Sequence, residues 1–193
     1  MVKVTIVGRV RDGFPIAQGL IYMNKGNVYL SYYMQQAEFM LQEISRGTLV
    51  ASKMTILIDH YCFNYLVENG VVFIVLCVST YPRKLAFHYL QDIQKEFEKF
   101  DKTLIDKITR PYSFVKFGSI IANITRQYID TRTQANLSKL NASRKQDLDV
   151  VTEDMFSILQ RRRNSGDCIE MDTNHDHCHY FNGSCMGYHS PQR

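Results

Sequence analysis

The sequence predicts an α+β fold in which helices cover an antiparallel sheet, and three observations support that prediction. The clearest is the pair Asn69-Gly70, which stands between the strand-like runs 62–68 and 71–78. A type I′ hairpin turn needs φ > 0 at both central residues, and Asn-Gly adopts that conformation readily. The second run is apolar throughout, as expected of a strand covered on both faces. Other strand-like runs also form hairpins while the helical patterns are grouped, which is typical of the α+β class.

The other strand-like runs complete a set of five. Residues 2–10 and 14–22 flank the turn residues Asp12 and Gly13, so they are expected to form a hairpin of their own. Residues 54–58 supply the remaining strand, directly before the Asn-Gly hairpin. All five runs belong to one predicted sheet.

Apolar residues recur at helical spacing in three stretches, residues 33–44, 85–100 and 117–128. Gly47 follows the first stretch, where a helix commonly ends, and Pro82 precedes the second, where proline suits the first turn. The first stripe contains methionine, and such a stripe is typical of a core-facing helix rather than a ligand groove. The predicted element order is therefore β-β-α-β-β-β-α-α, within one domain over residues 1–130.

The composition changes in residues 131–163, which contain neither Gly nor Pro and few apolar side chains. The apolar residues Leu137, Leu140, Val151 and Ile158 fit a heptad seam, which is typical of a coiled-coil helix. The other positions of the seam are charged: Arg144, Asp147, Asp154 and Arg161. The pattern alone leaves open a weak amphipathic helix or a partly disordered extension.

Residues 164–193 form a tail that is predicted to be disordered, because its periodicity is low and glycine recurs. The tail concentrates cysteine and histidine: Cys168, His175, His177, Cys178, His179, Cys185 and His189. Zinc prefers such ligands, but the paired C-x2-C spacing of zinc sites is missing. A zinc-binding tail therefore stays an alternative to unrelated sequence read past the normal coding boundary, and no metal or other cofactor is assigned.

Bulk properties exclude several classes of protein. Hydrophobic residues make up 45% of the chain and charged residues 22%, which predicts a packed core, and the net charge of +4 is too mild to indicate a nucleic-acid partner. The odd number of cysteines, five, does not suggest a secreted disulfide framework. The N-terminus lacks a signal peptide, and no run reaches the ~18 apolar residues of a membrane span. As given, the chain is expected to be soluble and to reside in a reducing compartment.

Catalysis and a small-molecule substrate are not expected. His60 and His88 are the histidines of the predicted domain, and neither has a sequence neighbour that suggests a catalytic triad. Gly8, Gly13 and Gly19 stand singly and do not form a phosphate-binding loop. The sequence therefore predicts a protein that is not an enzyme.

Five blocks of residues have a recognisable pattern: Val2-Lys3-Val4-Thr5-Ile6, Arg9-Val10-Arg11-Asp12-Gly13, Ser79-Thr80-Tyr81-Pro82-Arg83-Lys84-Leu85-Ala86-Phe87, Arg110-Pro111-Tyr112-Ser113-Phe114 and Tyr128-Ile129-Asp130-Thr131-Arg132. Together they resemble the longin-type R-SNAREs that cycle between ER and Golgi, the plant form in particular. The resemblance covers residues 1–163. It implies a profilin-like longin domain: a five-stranded antiparallel sheet with one helix on one face and two on the other.

The resemblance also implies that residues 131–163 are a SNARE motif, which joins three glutamine-type SNAREs in a parallel four-helix bundle that fuses membranes. The implied layer residues are Leu137, Leu140, Val151, Ile158 and, in the central polar layer, Arg161. Ile158-Leu159-Gln160-Arg161 matches the family's lead-in to the central arginine, although Arg162 and Arg163 leave a one-residue shift open. A buried charge is tolerated there when it is hydrogen-bonded, and it fixes the register.

The sequence departs from the family pattern in three places. One is that Arg144 and Asp147 occupy bundle layers that the family fills with apolar residues. The family continues past the central arginine into further layers and a membrane anchor, so a truncated motif is expected here. The implied location is the cytoplasmic face of ER and Golgi membranes, or the cytosol if the chain is complete as given.

The family can also fold its SNARE segment back over the longin domain and present a composite surface to the COPII coat. Asp154-Met155-Phe156 replace the family's Asn-Ile-Glu, which counts against that closed form. The alternative function is a soluble longin module that binds SNARE or coat partners without driving fusion.

Overall fold

The computed structural model of the chain describes residues 1–20, 28–129 and 150–165. Within these ranges the strands are β1 (Val2–Arg9), β2 (Pro15–Leu20), β3 (Lys53–Ile58), β4 (Tyr61–Glu68), β5 (Val71–Val78) and β6 (Val151–Asp154). The helices are α1 (Val28–Ser45), α2 (Arg83–Phe97), α3 (Lys102–Asp106), α4 (Val115–Ile129) and α5 (Met155–Asn164).

The strands form one six-stranded sheet in the order β2-β1-β5-β4-β3-β6. The five predicted strands pair antiparallel throughout, so the α+β prediction and the profilin-like arrangement are confirmed. The sixth strand, β6, corrects the predicted strand count and makes the sheet mixed, because it pairs parallel to β3. The prediction of a helix over residues 131–163 is wrong at Val151–Asp154, which form a strand. The exposed edge of β3 provides backbone hydrogen-bond partners for this strand, and a coiled-coil seam with charged positions provides none.

The hairpin between β4 and β5 has the predicted geometry. Asn69 has φ 50° and Gly70 has φ 79°, both positive as a type I′ turn requires. The turn pairs Glu68 with Val71 and sets the register along both strands. All six inner residues of β5 are buried, so this strand lies at the centre of the sheet and is covered on both faces.

The two faces of the sheet carry separate cores. Helices α2 and α4 cover one face, and α1 covers the other, which confirms the predicted distribution of one helix against two. Helix α5 joins α1 on its face, because Met155 and Ile158 belong to the same buried cluster as the α1 stripe. The C-terminal end of the described chain is thus part of the domain's packing.

The predicted end of α1 is confirmed in detail. Gly47 has φ 75°, and its N–H donates to the carbonyl of Ile44 at 3.1 Å while the N–H of Thr48 donates to that of Glu43 at 3.0 Å. These two bonds form a Schellman motif, which satisfies the last carbonyls of the helix. The motif fixes the direction in which the chain leaves α1 towards β3.

Helix α4 approaches β2 closely at two glycines. A Cβ on Gly19 would lie 2.1 Å from Cγ2 of Ile121, and a Cβ on Gly118 would lie 3.0 Å from the carbonyl oxygen of Gln18. A side chain at Gly19 would therefore force Ile121 to shift, whereas one at Gly118 would make a tight contact with the backbone of β2.

A buried arginine holds the connection between α2 and α4. The guanidinium of Arg9 donates from Nη1 to the carbonyls of Ile105 at 3.0 Å and Ile108 at 3.1 Å, and from Nη2 to Asp12 at 2.8 Å. Its carbon Cζ lies 4.8 Å from the ring centre of Phe14. Helix α3, which the sequence did not predict, is therefore anchored to the end of β1 by one side chain.

Candidate functional site

The candidate functional site is the surface on which residues 150–165, here called the docked segment, lie against the domain. Strand β6 extends the sheet at β3, with Met54 opposite Val151 and Leu57 opposite Asp154. The N-terminus of α2 also reaches this strand, since Nη1 of Arg83 donates to Oγ1 of Thr152 at 3.1 Å. The docked segment thus continues the backbone hydrogen-bonding of the domain.

Asp154 turns the docked segment from strand to helix. It has extended backbone angles, φ −95° and ψ 139°, and its side chain accepts a hydrogen bond from the N–H of Phe156 at 2.8 Å. This is the N-cap arrangement, in which a carboxylate satisfies a free N–H of the first turn. The negative charge also suits the positive end of the helix dipole.

The inward face of α5 is apolar. Met155 is 3% exposed and Ile158 is 1% exposed, and both lie in the core on the α1 side of the sheet. Phe156, on the outward face of the same helix, is 52% exposed. Because full burial of such a side chain contributes roughly 1.5–3 kcal/mol, Met155 and Ile158 supply the main apolar stabilisation of docking.

Charged side chains flank this apolar contact on both sides. Nη2 of Arg161 lies 2.5 Å from Oε2 of Glu153, so the helix is bonded to the strand that precedes it. On the next residue, Nε of Arg162 lies 3.6 Å from Oε1 of Glu43, a carboxylate of α1 that is fully buried. The same oxygen lies 3.0 Å from Nη1 of Arg46.

The strand also places a carboxylate near a buried phenol. Tyr65 is fully buried, and its hydroxyl donates to the sulfur of Met54 at 3.2 Å. Burial raises the pKa of Tyr65 well above its ordinary value, and the nearby Glu153 carboxylate raises it further. The phenol therefore stays protonated and acts as a neutral part of the packing below β6.

Three of the five bundle-layer residues that the family resemblance suggested lie in the docked segment. Val151 lies in β6 and is 46% exposed, Ile158 is buried under α5, and Arg161 is paired with Glu153. The other two, Leu137 and Leu140, lie outside the described residues, as does the Cys/His cluster of residues 168–189. The described part of the predicted seam is thus split between a strand and a helix.

The fold-back of the docked segment corrects the expectation drawn from Asp154-Met155-Phe156. The replacement of the family's triplet leaves docking intact, because Asp154 caps the helix and Met155 fills the apolar site. A sequence signal existed: β-branched residues at 150–152 followed by Asp before an apolar residue are typical of a strand that leads into a capped helix. Glu43 was missed, because a carboxylate among helical polar positions normally lies in solvent.

Two further properties of the described residues concern other classes of site. The described ranges contain no group of three or more His, Cys, Asp or Glu side chains arranged to hold a metal ion. Among those same residues, no helix combines the length and apolarity needed to cross a membrane.

The fold, with its five antiparallel strands, one helix against two and a C-terminal segment returning to β3, defines a longin-domain protein. The longin family, described as a regulated-SNARE-like domain, matches residues 23–121. The chain is 37% identical over 161 residues to the 25.3 kDa vesicle transport protein SEC22-1 of Arabidopsis thaliana, covering 82% of this chain and 72% of the relative.

Similarity extends to animals and fungi. The vesicle-trafficking protein SEC22b of Xenopus tropicalis is 33% identical over 166 residues, covering 83% of this chain and 74% of the relative. The protein transport protein sec22 of Schizosaccharomyces pombe is 33% identical over 171 residues, covering 88% and 76%. The chain belongs to the Sec22-type longin R-SNARE family, a family of vesicle-trafficking proteins.

Proposed function

We propose that this chain is a SNARE-like protein of ER-to-Golgi and retrograde vesicle transport, in which the segment after the longin domain supplies the R-SNARE helix of a four-helix fusion bundle. Family membership supports the class of function. The proposed partners are three glutamine-type SNAREs and the COPII coat, and the proposed location is the cytoplasmic face of ER and Golgi membranes.

The observation that supports a regulated bundle role is the burial of Ile158. A layer residue must face the other three helices of a bundle, but here Ile158 is 1% exposed against the domain. The same side chain cannot occupy both places. The longin domain is therefore proposed to hold the segment back until α5 leaves, and docking and bundling compete.

The central-layer role is assigned to Arg161. In the docked state this side chain is half-exposed and bonded to Glu153. In the bundle it would donate hydrogen bonds to one glutamine from each partner, which compensates a buried guanidinium and fixes the register of the four helices. The adjacent Arg162 and Arg163 provide the internal comparison for this assignment.

The full chain mixed with three glutamine-type SNARE helices tests the proposal. We expect a stoichiometric complex with added helical circular dichroism, and we expect Arg161→Ala to lower its melting temperature more than Arg162→Ala or Arg163→Ala does. If Arg162→Ala is the most damaging variant, the register is shifted by one residue. If no complex forms even when α5 is released by substitution, the bundle role is wrong and a soluble longin module that binds partners without fusion is favoured.

A further inference from the structure

We propose that Glu43 is a charge-recognition residue of the docking surface, and that it makes docking of residues 150–165 depend on a basic side chain at position 162. This inference concerns regulation of the site under the proposed function, and only its last step, bundle assembly, rests on that function. Docking itself is measurable without any partner.

Glu43 lies in a place that disfavours a carboxylate. It is fully buried, and it belongs to the last turn of α1, where the helix dipole is negative. Among the described residues its Oε2 atom has no hydrogen-bond partner. A buried ion in this position is costly unless positive charge lies beside it.

Two arginines provide that charge from different elements. Arg46 follows α1 and is 47% exposed in its side chain, whereas Arg162 comes from α5 and is 12% exposed. Both approach the Oε1 atom of Glu43, at 3.0 Å and 3.6 Å respectively. Arg46 is present whether or not α5 is docked, so Arg162 is the contribution that docking adds.

The position of Arg162 follows from the helix period. Met155, Ile158 and Arg162 are spaced i, i+3 and i+7, which places them on one face of α5. The docking surface therefore contacts two apolar side chains and then a cation, all on one face of α5. The neighbours Arg161 and Arg163 fall on other sides, so Glu43 distinguishes one arginine of the run from the other two.

Glu43 changes the free energy of docking through its effect on the docked state. If Glu43 is neutral, Arg162 and Arg46 face each other across an uncharged amide, and Arg162 has lost most of its water. In the undocked state Arg162 regains solvent and is indifferent to position 43. Neutralising Glu43 therefore favours undocking, although the substitution lies outside the segment that would enter a bundle.

The test uses hydrogen–deuterium exchange of the β6 amides in the full chain. We expect Glu43→Gln and Arg162→Gln each to raise their exchange on the order of tenfold, equivalent to about 1.4 kcal/mol. The double variant should be no worse than either single one, because the two changes remove the same contact. Arg162→Lys should retain more protection than Arg162→Gln, since it keeps the charge.

A matched control separates recognition from general damage. Glu38→Gln alters another α1 carboxylate, which accepts a hydrogen bond from Tyr112 rather than facing α5, and it should leave β6 exchange unchanged. Exchange of β5 amides reports whether each variant remains folded. If Glu43→Gln does not fold, Arg162→Gln against Arg162→Lys still decides the matter.

Two results would overturn the inference. One is unchanged β6 exchange in folded Arg162→Gln, and the other is equal loss of protection in Arg162→Lys and Arg162→Gln, which would mean that packing rather than charge stabilises docking at position 162.

A separate measurement addresses the functional step. Glu43→Gln should speed assembly with glutamine-type SNARE helices on the order of tenfold while leaving the melting temperature of the finished bundle unchanged. Faster exchange without faster assembly would retain charge recognition and reject the proposed competition between docking and bundling.

Discussion

Replacing Ile158 by alanine should release the docked segment without unfolding the domain. The substitution removes three carbon atoms from a side chain that is 1% exposed. At about 0.8 kcal/mol per buried methylene, the lost transfer free energy alone is about 2.4 kcal/mol. The cavity adds to this, and measured Ile→Ala losses in cores run to roughly 2–5 kcal/mol. A loss of about 2.4 kcal/mol corresponds to roughly a fifty-fold rise in the undocked fraction.

Exchange of the β6 amides should record that rise, because β6 is held to the domain through the same segment. The β5 amides should change far less, since local opening and global unfolding have separate free energies. Phe156→Ala is the matched control on the same helix: its side chain is 52% exposed, and its effect on β6 exchange should be several times smaller. Equal effects of the two variants, or equal loss of protection in β5 and β6, would refute the reasoning.

Two further expectations concern the domain itself. Arg9→Met should lower the free energy of unfolding by about 2–4 kcal/mol in urea denaturation, because it removes the charged hydrogen bonds from a buried guanidinium to the carbonyls of Ile105 and Ile108 and to the carboxylate of Asp12. Arg11→Met, at a side chain 60% exposed, should stay within about 0.5 kcal/mol. Burial raises the pKa of Cys62 and Cys77, so both should resist iodoacetamide at pH 8 in the native chain and react after unfolding; modification of native Cys77, detected by peptide mass spectrometry, would contradict this burial.

Most of the domain could be predicted because its determining signals are local. Asn69-Gly70 specifies its turn through backbone conformation, and the helical period of each apolar stripe is visible within a dozen residues. Helix α3 was not predictable in this way, because its five residues carry too short a pattern. It depends instead on Arg9, 96 residues away from Ile105 in sequence, and no local rule reports such a contact.

The docking site was harder to predict for a different physical reason. Residues 150–165 carry signals for two structures: Ile158 fits a coiled-coil seam and also fits an apolar site on the domain. The choice between them depends on the free edge of β3, which exists only after the sheet has formed. The role of Glu43 likewise could not be predicted, because it depends on Arg162 lying beside it in the fold.

The pair Glu153–Arg161 shows how the two structures exclude each other. The residues are eight apart, so a continuous helix would separate them by about 12 Å along its axis, whereas strand β6 followed by α5 brings their charged atoms to 2.5 Å. The contact is therefore specific to the docked state. With Arg161 half-exposed, it contributes at most about 1 kcal/mol, less than the burial of Ile158 alone. Apolar burial therefore provides most of the stability of docking, while Glu153 and Glu43 provide the charge partners of Arg161 and Arg162 in the docked segment.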